Sequence, residues 1–470
     1  MQRVRAFAPV LVGVLLSTAA LFSLLQPAAR GRGHHDGPQR WWKPPADVRS
    51  MLRDVSARRL QGYDRRLISF GTRHTLSVQD DPNHGIGAAR DWIKSQFDEI
   101  AATSGGRMTT GLDSFVQPVS PRVPAPTVIT NPYAVLKGTD PTASDAVYIV
   151  GAHYDSRVTD VLNATSDAPG ANDDGSGTSA VIELARVMAK HPLQGTVVFV
   201  AYAGEEQGLY GSTHFAQMAK DRGWNVQGKL NMDIVGSSLG GNGVREPHTI
   251  RLFSEGVPTA ETTAETARRQ AIGGENDGVS RQLARFVKET GENDATDMTI
   301  KLVWRRDRFL RSGDQVPYLQ QRWPAVRFTE PNENFDHEHQ DIRVENGTQF
   351  GDLEEFVDFP YLARVTRVVG SSLAALATAP RAPLNARMIT TSLGYDTELR
   401  WNANPESDVT GYEIVWRDSI SPLWQHSKRV GNVTEVTMKN LSKDDNQVAV
   451  RAIDEDGNRS PVAYPIPAAN

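Results

Sequence analysis

The fold is decided by the stretch 147–212, which holds three segments: VYIVGAHYDSR at 147–157, PGANDDGSGTSAVIELARVMA at 169–189 and TVVFVAYAGEEQGLYGS at 196–212. The first and third segments each begin with a short apolar run, which is typical of a buried parallel strand. The middle segment places Val181, Leu184, Ala185 and Met188 on one face of a helix. The stretch therefore predicts a strand, a helix and a strand, with a histidine and several carboxylates where the strands end.

The same alternation continues on both sides of this stretch. Apolar residues recur at helical spacing from Ile86 to about Gly105, after Gly208, and over 362–376, whereas 325–328 and the run that ends at 231–233 are β-rich. The sequence therefore predicts an α/β fold with a mostly parallel central sheet flanked by helices. The polar segment 238–295 is expected to be an insertion near the site, with one helix around Leu283.

The last part of the chain, 382–467, has a different character. Short β-rich runs at 397–401, 411–416, 435–438 and 447–453 alternate with turn residues, which predicts a small all-β sandwich. Trp401, the DVTGY segment at 408–412 and the RAID run at 451–454 resemble a fibronectin type III module. Such a module is either a spacer or a candidate for binding protein or carbohydrate, and the sequence does not identify a ligand.

The N-terminus has the features of an export signal. Arg3 and Arg5 precede an uncharged run from Ala6 to Leu25, and Ala28 follows. The predicted division of the chain is a signal peptide at 1–29, a linker at 30–47, the α/β domain at 48–379 and the β module at 382–467. A retained membrane anchor is the alternative, because about 20 apolar residues can span a bilayer. Both versions predict a secreted or extracytoplasmic protein, held in the periplasm or at the cell surface if the segment is retained.

Composition excludes several kinds of partner and site. The formal net charge of the 470 residues is −5 and no Lys/Arg-rich block stands out, so neither nucleic acid nor an acidic membrane surface is an expected partner. The chain has no cysteine. Any metal must therefore be held by histidine, aspartate and glutamate.

Candidate ligands stand at three predicted strand ends: His153, the pair Glu205-Glu206, and Asp233. Open α/β sheets bind ligands at the carboxyl ends of their strands, so we expect these side chains to converge. Asp155 follows His153 by two residues and is expected to hold its imidazole from behind. The adjacent carboxylates Glu205 and Glu206 suggest two tasks, one on a metal and one in proton transfer.

A further pair of carboxylates lies in the glycine-rich turn before the predicted helix. There, Asp173-Asp174 is followed by Ser176. Asp174 or Ser176 is expected to cap the helix, while Asp173 reaches towards the site.

Four motifs, GAHYDS at 151–156, PGANDDGSG at 169–177, AGEEQGLYGS at 203–212 and NMDIVGS at 231–237, resemble in this order the M28-type zinc aminopeptidases. These are co-catalytic dizinc exopeptidases, and the resemblance covers roughly 48–379. It implies two Zn²⁺ per chain, with His153 and Asp233 on different ions, Asp173 bridging them and Glu206 as a further ligand. It also implies Glu205 as general base.

The family needs one more histidine late in the domain, usually with an aspartate four positions later. The segment DHEHQD at 336–341 offers His337, which has Asp341 at that offset, and His339 as the alternative. Asp336 stands where members often have a tyrosine that assists the oxyanion, so that role stays unassigned. Gln315, in RSGDQVPY at 311–318, stands where a histidine is often found.

The activity implied is hydrolysis of the N-terminal peptide bond of peptide or protein substrates, with Glu330 or Asp336 as a partner for the substrate amine. Three alternatives remain open at this point. A carboxypeptidase or dipeptidase would use an arginine such as Arg311 for the substrate carboxylate. A single-zinc glutaminyl cyclase has the same scaffold, and a non-enzymatic adhesion protein would carry a dead peptidase domain.

Overall fold

Parallel strands form the centre of the main sheet. The computed structural model describes residues 42–391 and 393–468, and within them an eight-stranded sheet has the order β1-β2-β4-β3-β5-β8-β6-β7. Its strands are β1 (Met108–Gln117), β2 (Thr127–Leu136), β3 (Ala146–His153), β4 (Thr196–Tyr202), β5 (Asn225–Met232), β6 (Thr249–Phe253), β7 (Thr299–Val303) and β8 (Ala325–Thr329). The neighbours β4, β3, β5 and β8 are parallel, while β1, β2 and the β6/β8 pair add antiparallel contacts. The predicted mostly parallel α/β sheet is confirmed.

Helices cover both faces of this sheet. They are α1 (Ala46–Arg53), α2 (Ala57–Ile68), α3 (Gly85–Ala102), α4 (Gly177–Met188), α5 (Glu205–Gly208), α6 (Tyr210–Asp221), α7 (Thr263–Ala271), α8 (Val279–Gly291), α9 (Val316–Gln320) and α10 (Phe359–Thr378). Alternate residues of β3 point to opposite faces: Tyr148 joins a core with α3, α4, α8 and α10, and Ile149 joins one with Phe215 of α6 and Tyr318 of α9. Burial on both faces explains why these strands are continuously apolar.

The prediction that 238–295 is only an insertion is wrong in part. β6 lies in this segment and pairs with β8 and β7, so it belongs to the main sheet. Leu283 and Phe286 of α8 are buried in the main core, whereas α7 buries none of its residues. β6 was not predicted from the sequence because TIRLF is short and carries an arginine in its centre.

The C-terminal part folds into two small sheets. Its strands are β11 (Arg387–Ile389), β12 (Thr397–Arg400), β13 (Val409–Asp418), β14 (His426–Gly431), β15 (Glu435–Met438), β16 (Asn446–Asp454) and β17 (Ile466–Ala468), in the orders β15-β12-β11-β17 and β14-β13-β16. Trp401 and Tyr412 pack together between the sheets, with ring centroids 5.2 Å apart. A small all-β unit is therefore present, while its assignment to fibronectin type III modules and the domain boundaries stay predictions.

The remaining elements are short. A ribbon of β9 (Arg343–Glu345) and β10 (Thr348–Phe350) precedes a 3₁₀ turn at Glu354–Phe356. The predicted signal peptide and most of the predicted linker lie outside the described residues. Within 42–391 and 393–468, none of the helices has the length and apolar character needed to cross a membrane.

Buried ion pairs attach the C-terminal sheets to the main domain. Arg417 of β13 binds Asp277, which precedes α8, with Nη2 2.7 Å from Oδ2, and neither side chain is more than 1% exposed. Arg285 of α8 adds a second cation 3.4 Å from the same carboxylate. Arg451 of β16 binds Glu289 of α8 at 3.0 Å. The two parts of the chain are therefore joined by charged groups that would be costly to leave unpaired.

Replacing Arg417 with alanine is expected to lower the free energy of unfolding by about 3–5 kcal/mol, because Asp277 would lose its closest buried partner. The midpoint of urea denaturation measures this loss. Arg400→Ala is the control, since its ion pairs with Glu398 and Glu435 are solvent-exposed and are worth about 1 kcal/mol or less. Equal midpoints for the two variants would contradict a stabilising role of the buried pair.

Candidate metal centre

Three strand ends meet at one edge of the sheet. His153 is the last residue of β3, Glu205 and Glu206 open α5 just after β4, and Asp233 follows β5. Because β3 lies between β4 and β5 and is parallel to both, the carboxyl ends of the three strands are adjacent. The structure therefore brings these predicted site residues together.

His153 is buried with its two ring nitrogens in different surroundings. Nε2 lies 3.1 Å from Asp173 Oδ1 and 3.9 Å from Asp233 Oδ1. Nδ1 lies 3.1 Å from the carbonyl oxygen of Asp155 and 3.6 Å from Asp155 Oδ1. An Nδ1–H that donates to this carbonyl leaves the lone pair of Nε2 free, which is the form of imidazole that binds a metal. Asp155 occupies the place that the sequence predicted for it.

The carboxylate of Asp155 also fixes the turn after β4. It accepts hydrogen bonds from the backbone N–H groups of Glu205 and Glu206, at 3.4 and 3.1 Å, and from the Thr75 hydroxyl at 3.0 Å. One side chain thus positions both the imidazole of His153 and the pair of glutamates.

Asp173 stands between two groups of ligand atoms. Its Oδ1 faces His153 Nε2, and its Oδ2 lies 2.9 Å from His339 Nε2. The first group is His153, Asp173 and Asp233, the second is Asp173, Glu206 and His339, and within each group the ligand atoms lie within 4.8 Å of one another. This geometry suits a bridging role for Asp173. The expectation that His153 and Asp233 serve different ions is wrong, since both lie in the first group.

Asp174 holds the backbone around the site. Its carboxylate accepts hydrogen bonds from the N–H of Gly177 at the start of α4, of His153 and of Ile234, at 3.0, 3.1 and 3.3 Å. It therefore caps the helix, as the sequence suggested, and also ties together the ends of β3 and β5. Asp173 is left to point into the site.

The second group is completed by Glu206, His339 and an arginine. Glu206 Oε1 lies 2.9 Å from His339 Nε2, while Oε2 lies 3.0 Å from Arg157 Nε. Arg157 Nη2 also lies 2.7 Å from His339 Nδ1. Arg157 thus contacts both side chains, and the sequence contains no local sign of these contacts because the two partners are 49 and 182 residues away.

His337, the histidine preferred from the sequence, lies elsewhere. Its ring stacks on Phe356, with the centroids 3.5 Å apart. His339 lies in the place expected for His337, with its backbone in the left-handed region, φ 54°, and its Nε2 2.9 Å from Asp173 Oδ2. The criterion used to choose His337 fails, since Asp341 donates its backbone N–H to the Thr159 hydroxyl instead of supporting an imidazole.

Asp233 has a cationic partner that the sequence analysis missed. Arg327 of β8 is fully buried and its Nη2 lies 2.8 Å from Asp233 Oδ1, close enough for an ion pair although the angle does not suit a hydrogen bond. Its Nη1 lies 3.1 Å from Asp307 Oδ2. A charged residue in the otherwise apolar strand AVRFT was the only available signal.

The buried groups shift the pKa values of one another. Burial works to lower the pKa of His339, but the carboxylates of Glu206 and Asp173 raise it to about 10. Burial would raise the pKa of Asp173, yet His339 and His153 hold it well below its usual value. Burial raises the pKa of Glu205 well above its usual value, against the opposing effect of His153. Protons and a metal ion would therefore compete for the same imidazoles.

The donor set fits zinc. Imidazole nitrogens and carboxylate oxygens are its usual ligands when thiolates are absent. Glu206 Oε1 supports the fit, because it is buried and forms no hydrogen bond although it lies 2.9 Å from His339 Nε2 in the second group.

Both groups of ligands line a cavity of about 760 Å³. Glu205 reaches the same cavity and is partly exposed to it. The opposite wall is the loop between β7 and α9, from Arg305 to Ser312. A peptide therefore has room beside the ligands.

Comparison with known proteins places this site in a family. Residues 131–349 match the model of peptidase family M28. The chain is 48% identical over 424 residues to a "probable zinc metalloprotease" of Leptosphaeria maculans, covering 90% of this chain and 98% of that protein. It is 50% identical over 429 residues to one of Pyrenophora teres f. teres, covering 91% and 88%. The chain belongs to peptidase family M28. It is a zinc metallopeptidase.

Solved structures share less with this chain. The LapA aminopeptidase of Legionella pneumophila is 20% identical, with 70% of this chain and 74% of that chain covered and a TM-score of 0.49. A glutaminyl cyclase of Macrostomum lignano is 15% identical, with 71% and 96% covered and a TM-score of 0.48.

His339→Ala is expected to lower the zinc content of the purified protein, because it removes the only imidazole of the second ligand group. His337→Ala is the control, since this ring packs on Phe356 and does not reach the ligands. Elemental analysis after dialysis measures bound zinc. If His337→Ala lost zinc and His339→Ala kept it, the assignment made from the structure would be wrong.

Proposed function

We propose that this metallopeptidase is an exported dizinc aminopeptidase that removes N-terminal residues from peptides or proteins. The observation that carries the proposal is the shared carboxylate of Asp173, whose two oxygens face His153 and His339 in separate groups of three ligands. Such an arrangement suits two cations held side by side. The export signal proposed at the N-terminus lies outside the described residues.

The ligands of the proposed ions are His153, Asp233 and Asp173 for one, and Asp173, Glu206 and His339 for the other. Zinc bound there would act as a Lewis acid, which polarises the scissile carbonyl and makes a water molecule more acidic. Arg157 holds Glu206 in orientation, and Asp155 holds His153, both from outside the two groups.

Glu205 is the residue available for proton transfer. It adjoins the ligand Glu206 and lines the cavity, and among the described residues no donor forms a hydrogen bond with its carboxylate. A carboxylate in this position accepts a proton from the attacking water and passes it to the leaving amine.

Neither Glu330 nor Asp336, the predicted partners of the substrate's α-ammonium group, is well placed for that role. Glu330 is buried and accepts hydrogen bonds from Asn172 Nδ2 and Ser237 N–H, both at 2.8 Å, so it is not available. Asp336 lines a different cavity, of about 710 Å³. Glu205 is a better candidate, because its carboxylate lines the cavity that contains the ligand groups and belongs to neither group.

Two alternatives are less well supported. A glutaminyl cyclase with one zinc ion would need only one ligand group, which leaves the geometry of Asp173 between two groups without a purpose. A dead peptidase domain would be expected to have lost ligands, and each position of the two groups is filled.

An aminopeptidase is expected to cleave aminoacyl coumarylamides with a free amino group at least about 100-fold faster than the same compounds with an acetylated amino group. The reason is that an acetylated amine cannot form an ion pair with a carboxylate, and hydrogen bonds to charged groups are stronger than neutral ones. The measurement is kcat/KM, with bound zinc determined on the same preparation. Equal cleavage of both forms, or less than one zinc ion per chain, would refute the proposal.

Glu205→Gln is expected to lower kcat by at least about 100-fold, because the amide cannot accept the proton of water. Bound zinc should stay unchanged, since Glu205 belongs to neither ligand group. Glu99→Gln, which changes an exposed glutamate of α3, is the matched control. Full activity of Glu205→Gln would show that another group is the base.

A further inference from the structure

The cavity at the metal centre is rimmed by arginines. Six of them line it, and we call this set the arginine rim: Arg122, Arg157, Arg305, Arg306, Arg308 and Arg311. The last four belong to the loop between β7 and α9, in the sequence WRRDRFLRS at 304–312. A cavity with so many guanidinium groups favours an anionic ligand.

Half of the rim is already engaged with carboxylates of the protein. Arg157 pairs with Glu206, Arg308 with Asp307 and Glu333, and Arg311 with Glu338, all at 3.0 to 3.3 Å. These pairs fix the positions of three guanidinium groups and reduce their effective charge.

The other three arginines have no carboxylate partner in an ion pair among the residues that the structure describes. Arg122 donates to the backbone carbonyl of Glu206 at 2.9 Å, and Arg305 stacks on the ring of Phe309. The positive charge of Arg306 works to lower the pKa of Glu255 from beyond ion-pair distance, against the burial that raises it. Both Arg305 and Arg306 are exposed. Their charges are therefore available to a ligand.

The loop that carries these arginines is anchored to the metal centre. Asp307 is buried and binds Arg327, which also contacts the ligand Asp233, and it accepts a hydrogen bond from Gln315 Nε2 at 2.8 Å. At the start of the loop, Trp304 packs under a guanidinium group of α8, with Arg281 4.5 Å from the ring centroid. The rim is thus held at a fixed place relative to the ligands.

The metal ions proposed above would leave the cavity positively charged. Two divalent cations carry as much positive charge as Asp173, Glu205, Glu206 and Asp233 carry negative charge. Among the residues that the structure describes, the one other carboxylate in the wall is that of Asp307, and it is engaged by Arg327 and Arg308. The free charges of the rim then remain uncompensated, in a cavity whose walls focus their field.

We propose that the arginine rim binds a carboxylate of the substrate and makes this enzyme selective for peptides that present such a group near the metal centre. The inference rests on the proposed function, because it assumes that peptides are cleaved at the metal centre. The carboxylate has two sources, the acidic side chain of an N-terminal residue or the C-terminus of a short peptide. Guanidinium groups bind both with the same forked hydrogen bonds.

A membrane surface is the competing partner. Phe309 and Leu310, at the tip of the same loop, are 76% and 107% exposed, and basic and apolar residues together suit an anionic bilayer. We favour a substrate carboxylate because these arginines line the cavity of the metal centre rather than forming a separate surface.

The experiment compares the zinc-loaded wild type with Arg305→Gln/Arg306→Gln. The matched control is Arg58→Gln/Arg268→Gln, which also removes two exposed arginines, neither of which lines the cavity. Substrates are the aspartyl and asparaginyl coumarylamides, which differ in charge and hardly in shape. A second pair, Leu-Gly and Leu-Gly-amide, tests the C-terminal carboxylate.

In the wild type, the member that carries the extra carboxylate should have a kcat/KM at least about tenfold above that of its neutral counterpart in one of the two pairs. Added salt should reduce this ratio. Arg305→Gln/Arg306→Gln should lose most of the ratio while the neutral substrate changes less than about threefold. The pair that shows the effect identifies the source of the carboxylate. The control variant should behave as the wild type.

Three results would overturn the proposal: no preference within either pair, the same loss in the control variant, or an unchanged preference in Arg305→Gln/Arg306→Gln that instead loses binding to phosphatidylserine vesicles. If no substrate were cleaved, the proposed function would fail separately. Calorimetric binding of Asp-Ala-Ala-amide against Asn-Ala-Ala-amide, and of Leu-Gly against Leu-Gly-amide, would then still decide the role of the rim. Equal affinities within both pairs would overturn it.

Discussion

Carboxylates crowded into a buried space are the constraint on which the rest of this structure depends. Asp173, Glu206 and Asp233 are each at most 5% exposed, and like charges so close together repel strongly where water is excluded. The chain offsets this repulsion with imidazoles inside the groups and with Arg157 and Arg327 around them. Bound cations would complete the compensation. The fold thus holds an excess of negative charge at this centre, which bound metal ions would neutralise.

A second set of carboxylates fixes the backbone that carries the ligands. Asp155, Asp174 and Asp352 belong to neither ligand group, and they accept hydrogen bonds from backbone N–H groups of the residues that carry the ligands. Asp352, for example, binds the N–H of Asp173 at 2.7 Å. The backbone N–H groups of His153, Asp173 and Glu206 are therefore held by carboxylates outside the two ligand groups, which fixes the positions of these three ligands.

Most of the fold and part of the site could be predicted from the sequence. His153, Glu206 and Asp233 follow apolar strands, so the position of each was evident from local pattern alone. The prediction of His337 instead of His339 was wrong because both residues lie in one turn. Which of them faces the site depends on the backbone dihedral angles, and spacing in the sequence does not reveal these. Arg157 and Arg327 were missed because their partners are distant in sequence, and β6 because the strand is only five residues long and has an arginine at its centre.

The buried pair of Asp277 and Arg417 has a consequence for the evolution of this protein. A gene that lost its C-terminal sheets would leave Asp277 and Glu289 without Arg417 and Arg451, next to the helix that supports Trp304. The catalytic part and the β part are therefore expected to be inherited together and not exchanged as separate cassettes. The alignment with the Leptosphaeria maculans relative, which covers 98% of that protein, agrees with such joint descent.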